Sequence, residues 1–361
     1  MNSPKSPSPF GQSRPPNDEW LSRAVPEIPL DPTLPIIDTH LHFWHHRSGY
    51  KYFVEELACD LAAAGHNVEA TVFVECNSMY RADGPEHLRC IGETEFAVGM
   101  AAMAASRKYT SCRAAVVIVG NADLTRGERV REVLEQHLDA ANGRLRGLRQ
   151  RAKWDADPVV RGPVSADRPG LYLEKQFANG LKVLGSMGLS FDASVFHPQI
   201  PEVTALARAH PDTSIILDHS GSPVGHSSYA GREAEVHANW LQSIQELAKC
   251  PNVSVKLGGL LMSLGNFDFA AAERPLSSTE LAKLWRPYIE PCIEHFGAGR
   301  CMVSSNFPVD KAGVSYGTLW NTLKDIASGL STHEKGMLFS GTAKRVYRIT
   351  SYASASHQEA G

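Results

Sequence analysis

The chain has 361 residues and a formal net charge of -3, which gives no sign of a polyanion-binding surface, and no basic run interleaved with aromatics points to nucleic acid. Its seven cysteines are an odd number without a CxxC pair, so they read as reduced thiols of a cytoplasmic protein rather than a disulfide framework. No apolar stretch approaches the roughly 18 residues that span a bilayer, and the N-terminus lacks the apolar core of a signal peptide, so neither a membrane nor secretion is expected.

Residues 1–30 are rich in Pro and Ser and read as a flexible N-terminal arm, with a similar tail over 351–361. Between them, over 31–350, short apolar runs alternate with helix-like segments. The runs are Leu34–Asp38, Ala70–Glu75, Arg113–Val119, Leu145–Arg149, Leu189–Val195, Thr213–Asp218, Asn252–Leu257 and Arg300–Ser304. Such alternation implies parallel strands joined by right-handed crossovers, and eight repeats close into an α/β fold of one (β/α)8 TIM barrel. An open doubly wound sheet would need a Gly-rich phosphate turn after the first strand, and none is present. In a barrel the chemistry sits where strands end and loops begin.

The first strand closes on Asp38-Thr39-His40-Leu41-His42. Residues i and i+2 of an extended segment share a face, so His40 and His42 can jointly chelate a divalent cation. His45 and His46 read as surface histidines, and Trp44 as an apolar wall of the pocket. Glu75 ends the second strand and either orients a ligand, binds substrate or forms a structural ion pair. Tyr80 and Arg81 lie in a loop long enough to cover the mouth and are substrate-contact candidates. After the fourth strand, Arg149, Arg151 and Lys153 alternate, which suits a carboxylate-bearing substrate; a solvated basic loop is the bland alternative. Asp192 lies on the fifth strand and His197 begins the loop after it. The sixth strand delivers Asp218-His219-Ser220-Gly221-Ser222-Pro223, placing His219 at the mouth with Asp218 to orient it, unless the segment is only a helix-capping turn. Lys256 ends the seventh strand as a second substrate cation or an ion-pair partner. The eighth runs Ser304-Ser305-Asn306-Phe307-Pro308-Val309-Asp310, with Phe307 as another apolar wall.

The HxH, D-H-x-G-x-P and S-N-F-P motifs together resemble the amidohydrolase superfamily, and more closely its amidohydrolase-2 branch. That branch includes lactonases acting on 2-pyrone-4,6-dicarboxylate, fuconolactone, rhamnonolactone and 4-sulfomuconolactone. The resemblance spans about Pro35 to Ile349. It implies attack of water on a strained ester or amide carbonyl, with His40, His42 and His219 binding metal or polarising the carbonyl and a strand-eight Asp taking the proton.

This sequence departs from that pattern where the usual S-D-W-P reads Ser305-Asn306-Phe307-Pro308. A neutral amide cannot accept the water proton. Either Asp310, four residues on, takes over as base or ligand, or the base is a histidine, or the water route is altered; for Asp310 the alternative is that it caps the next helix or pairs with Lys311. The family's strand-five histidine has no clear match, so the resemblance implies either one divalent ion such as zinc on His40, His42 and His219 or a metal-free site. The expected function is a lactonase opening a small acidic or sugar-derived lactone, with Arg149, Lys256, Tyr80, Arg81, Glu75 and His197 about the substrate. A metal-dependent non-oxidative decarboxylase of an aromatic acid needs no water-activating base and stands as the enzymatic alternative. A non-catalytic ligand-binding barrel is the other. A small molecule is the expected partner, and a homodimer is compatible with the fold.

Overall fold

The computed structural model describes residues 14–45, 49–162 and 166–350. Eight parallel strands form one sheet in strict chain order: β1 Ile36–Leu41, β2 Val68–Val74, β3 Arg113–Gly120, β4 Leu145–Arg151, β5 Ser190–Ser194, β6 Ile215–Leu217, β7 Val253–Leu257 and β8 Cys301–Val303. The sheet closes through the chain just past β8. Asn306 N–H donates to His40 O at 2.8 Å, His42 N–H donates to Phe307 O at 2.8 Å, and Leu41 bridges Phe307. Each strand is followed by a helix: α1 Val54–Ala64, α2 Ile91–Ala105, α3 Val130–Ala140, α4 Lys175–Ser186, α5 Ile200–Ala209, α6 Glu233–Ala248, α7 Ser278–Phe296 and α8 Tyr316–Ile326. This is the expected (β/α)8 barrel.

Side chains alternate across the strands with period two, and the core divides accordingly. Ile37, Val72, Val74, Val117, Val119, Ile216 and Met302 form one cluster with Tyr347, filling the barrel. Ile36, Phe73, Ile118, Phe191, Leu217 and Val255 belong to the larger layer that carries the helices. The same parity sends Arg149, Asp192 and Lys256 inward. Charge is thus built into the barrel, and it must be paired there because an unpaired buried ion is expensive.

The segment read as a free arm is in part packed. Residues 1–13 lie outside the described residues, as does the tail over 351–361. Asn17 caps a single helical turn over Asp18–Leu21, which buries Trp20 to 8 % exposure. The indole Nε1–H donates to Ala272 O at 2.8 Å, and Leu30 N–H donates to Asn321 Oδ1 at 2.8 Å. One large aromatic and a few anchored amides hold a stretch whose average composition is too polar to suggest burial. Among the described residues, no helix is long and apolar enough to cross a membrane.

Candidate active site

His40, His42 and His219 converge at the C-terminal ends of the strands. The His40 ring lies 4.3 Å from His219 and 5.0 Å from His42, centroid to centroid. All three are buried, and burial holds each neutral: His42 and His219 are lowered to about 3 and His40 well below its usual value. Their hydrogen bonds fix the tautomers. His42 Nδ1–H donates to Val74 O at 2.7 Å, and His219 Nδ1–H donates to Gly258 O at 3.2 Å. Both therefore offer Nε2 as a lone pair. His40 Nε2 accepts from Arg149 Nη1 at 3.1 Å, which leaves its Nδ1 facing Asp218 Oδ1 at 3.4 Å. Trp44 stacks on His42 with planes 8° apart, fixing that ring from its far side.

The turn that presents His219 is unusual. His219, Ser220 and Ser222 all have positive φ, a conformation that side chains with Cβ resist. It fits only because Gly258 and Gly259 follow β7. A Cβ on Gly259 would lie 2.0 Å from His219 Nδ1, and one on Gly258 2.0 Å from Ser304 O. Gly259, at φ +67°, thus serves both backbone conformation and close approach.

Beneath the histidines runs a closed charge network. Arg149 Nε–H donates to Glu75 Oε1 at 2.7 Å and its Nη1 to Asp218 Oδ2 at 3.1 Å. Arg151 joins Glu75 from the other side at 3.2 Å. Lys256 Nζ donates to Asp192 Oδ2 at 2.5 Å and lies 3.4 Å from Asp218 Oδ1. The surrounding cations hold Glu75 and Asp218 below the usual carboxylate range against the penalty of burial. On the outer side of β1, Asp38 accepts from Ser305 Oγ–H at 2.5 Å and Tyr316 O–H at 2.9 Å, tying the first strand to the segment after the last.

That segment carries Asn306 where a carboxylate is expected, with Asp310 four residues on. Asn306 sits at φ 56° with its backbone on His40 O, and its Nδ2–H donates to Asp310 Oδ1 at 2.9 Å. Asp310 is fully buried, and its Oδ2 has no hydrogen-bond partner among the described residues. Burial pushes this carboxyl up to about 7, although Asn306, the Leu261 backbone and the Lys153 charge pull the other way. It neither caps α8, whose cap is Ser315, nor pairs with Lys311, which binds Asp60 at 2.7 Å.

The structure revises several sequence expectations. Lys256 is wholly enclosed and paired with Asp192 and Asp218, the ion-pair role that its sequence position also allowed. Arg149 is 4 % exposed and spends its donors on Glu75, Asp218 and His40, which makes it a positioning group. Glu75 orients that arginine. Arg81 points outward into an ion pair with Glu95, while Tyr80 at the rim bonds Asn77 and Asn121. His197 is not gathered with the other histidines; it accepts from Val224 N–H and packs edge-on against Tyr229. Phe307 is fully buried against Tyr316 rather than lining the mouth. His46 lies outside the described residues.

Lys153, the last of the three alternating cations, gains importance. It is partly exposed, lies with Nζ 5.2 Å from the Phe196 ring centroid, and is lowered to about 8 by burial and the Arg149 charge. The 149-151-153 alternation was its signal, although depth along the chain was not legible from it.

The group that could hold a metal is His40, Asp218 and His219, whose donor atoms lie within 4.8 Å of one another. Asp218 stands where His42 was expected. Asp218 Oδ1 is buried without a hydrogen-bond partner and His219 offers a lone pair at Nε2, so these donors suit a divalent ion such as zinc, which His40 joins only when its Nδ1 carries no proton. The same histidines are also positioned by protein groups alone, through Arg149 and Gly258.

Comparison with known proteins agrees with the geometry. The model of the Amidohydrolase family (Amidohydro_2) matches residues 37–349. The uncharacterized protein y4mH of Sinorhizobium fredii is 30% identical over 336 residues, covering 87% of this chain and 98% of that protein. An L-fucono-1,5-lactonase of Burkholderia multivorans is 29% identical over 239 residues, covering 66% and 73% respectively. Among solved structures, an amidohydrolase from Burkholderia multivorans with bound zinc superposes with a TM-score of 0.67 at 25% identity, covering 87% of this chain and 99% of that one.

Proposed function

The chain belongs to the amidohydrolase family, and from that premise we propose that it opens a small acidic or sugar-derived lactone by attack of water on the ring carbonyl. The observation that carries this reading is Asn306, which links a buried carboxylate with a free oxygen to the backbone of His40. The likeness to L-fucono-1,5-lactonase supports the lactone as substrate class.

A divalent ion held by His40, Asp218 and His219 would supply Lewis acidity toward the carbonyl and its water. His219, which keeps its proton on Nδ1 against Gly258 O, would offer its Nε2 lone pair to that ion. Asp310 receives the proton that the attacking water releases as its oxygen bonds to the carbonyl carbon. Lys153 donates to the oxygen on which negative charge develops. When the tetrahedral intermediate collapses, the ring C–O bond breaks and the alkoxide recovers the proton from Asp310, giving a hydroxy acid. Arg151, beside Lys153, faces the acidic or hydroxyl groups of the substrate.

The test is a panel of sugar-derived 1,5-lactones and dicarboxylate lactones, followed by proton release. At least one should be opened with kcat/KM above about 10⁴ M⁻¹s⁻¹. Folded protein that turns over none of them would refute the lactonase reading, and carbon dioxide released from an aromatic acid would establish decarboxylation instead.

A further inference from the structure

The barrel's opposite end carries a second concentration of positive charge. A cavity of about 330 Å³ opens there between the starts of β3 and β4 and the segment after the last helical turn. Arg113, Arg144, Arg146 and Arg348 line it, and no acidic residue does so among the described residues. Nor, among the described residues, do Arg144, Arg146 and Arg348 enter any salt bridge there, in contrast to Arg149 and Arg151 at the mouth.

The guanidinium groups are held in place. Arg146 Nη1 donates to Gly143 O at 2.6 Å and Leu145 O at 2.9 Å, Arg144 Nη1 to Asn142 O at 3.3 Å, and Arg348 Nη1 to Gly188 O at 2.8 Å. These bonds orient each group and leave most of its five donors unused. Arg146 Nε is buried without a partner. Arg146 is lowered by burial and by the neighbouring Arg348 charge, so the two guanidiniums repel each other across the cavity.

The backbone gives an independent sign. Ile349 N–H donates to Lys344 O and Arg348 N–H to Arg345 O, closing the helix as a Schellman motif with Arg348 at φ 53°. That position favours glycine, which has no Cβ to strain it. Here an arginine occupies it instead, aimed over the cavity. β3 also bulges beside the cavity: Ala70 pairs Arg113 and Val72 pairs Val117, with Ala115 at φ 48° between them. Bulges of this kind re-aim side chains.

Strain and like-charge repulsion at one place are offset most simply by a bound anion. We propose that this cavity binds a small organic phosphate ester. The phosphate would sit between Arg146 and Arg348, where the planar guanidiniums can each offer paired donors. The organic part would lie along Ala101, Ala105 and Val117, which form the cavity's apolar wall. The volume suits a ligand of monosaccharide-phosphate size. This site is independent of the reaction at the mouth.

The test is calorimetric titration of the full chain at fixed ionic strength with ribose 5-phosphate, ribose and inorganic phosphate, using wild type, Arg146→Gln and Arg348→Gly. Ribose 5-phosphate should bind saturably with Kd below about 1 mM, ribose should not bind, and each substitution should weaken binding at least about tenfold. Arg348→Gly should melt no lower than wild type without ligand, since glycine suits its backbone, so lost binding cannot be blamed on misfolding. No saturable binding up to about 10 mM, or binding untouched by both substitutions, would overturn the site. Inorganic phosphate binding as tightly as the ester would overturn the assignment of an ester.

Discussion

Around Arg149 every charge meets an opposite one, whereas around Asp310 a carboxylate is buried with an amide for its main partner. The first region has two arginines, a lysine and three carboxylates locked to one another. Its paired groups are held in place and can hold His40, and only Asp192, which burial raises to about 6, approaches neutrality among its carboxylates. The second has one acid raised to about 7 and one oxygen without a partner. It is poorly solvated, weakly paired and able to gain or lose a proton at working pH. A network of opposed charges positions; a buried acid with no cation bonded to it is available for chemistry.

The largest effect should come from breaking the charge-paired side. Arg149→Met leaves Glu75 and Asp218 buried without their shared cation and should cost about 3–5 kcal/mol of stability, measured by chemical denaturation. A loss under about 1 kcal/mol would mean the network is far better solvated than its burial indicates.

Asp310→Asn should act in the opposite way. Turnover should fall about a hundredfold or more, and with it the rise of wild-type activity through pH about 7 that deprotonation of Asp310 produces. Stability should follow the proton. Folding raises this carboxyl from 3.8 to about 7, so its contribution is fully present below 3.8 and is lost as pH rises through 7. The slope is at most about 1.4 kcal/mol per pH unit. The variant has no such proton, so its stability relative to wild type should improve from pH 4 to 7. A flat difference across that window, with turnover unchanged, would remove Asp310 from the mechanism and leave Asn306→Asp as the variant to examine.

What the sequence revealed of this contrast follows from how local each signal was. His40 and His42 share a face because they are two residues apart, and Asp310 lies within one turn of Asn306, so spacing alone brought these forward. The roles of Lys256 and Arg149 stayed open because an inward-facing cation deep in a barrel strand and one at its rim look alike in a linear pattern. Only the partners, Asp192 on β5 and Glu75 at the end of β2, separate them, and those lie 64 and 74 residues away. Asp218 displaced His42 from the donor group for a related reason. β1 shifts register between Asp38 and Leu41, where His40 turns toward Asp218 while His42 is tied to Val74. Trp20 was hidden by the composition around it.

A smaller effect sharpens the same boundary from the side of β7. Gly259→Ala puts a methyl group against His219 Nδ1 in a backbone region that alanine resists. The expected cost is about 1–3 kcal/mol, with lower turnover because the ring must move from Gly258 O. Neither Glu75 nor Asp310 is touched, so the pH at which activity rises should stay near 7. A shifted midpoint would show that His219 and Asp310 titrate together.

The smallest effect belongs to Arg81. Its guanidinium is well exposed and engages Glu95 on the outside of α2, where water screens the pair. Arg81→Ala should change stability by no more than about 0.5 kcal/mol. KM and kcat for the lactone should stay within about twofold of wild type, since about twofold corresponds to only ~0.4 kcal/mol. Tyr80, next in the chain but turned toward Asn77 and Asn121, lies closer to the mouth and serves as the control: Tyr80→Ala should raise KM more than Arg81→Ala does. A tenfold rise in KM for Arg81→Ala would mean that the 79–85 loop swings inward when substrate binds, carrying Arg81 away from Glu95 and giving the mouth a cation that the resting structure holds on its outer surface.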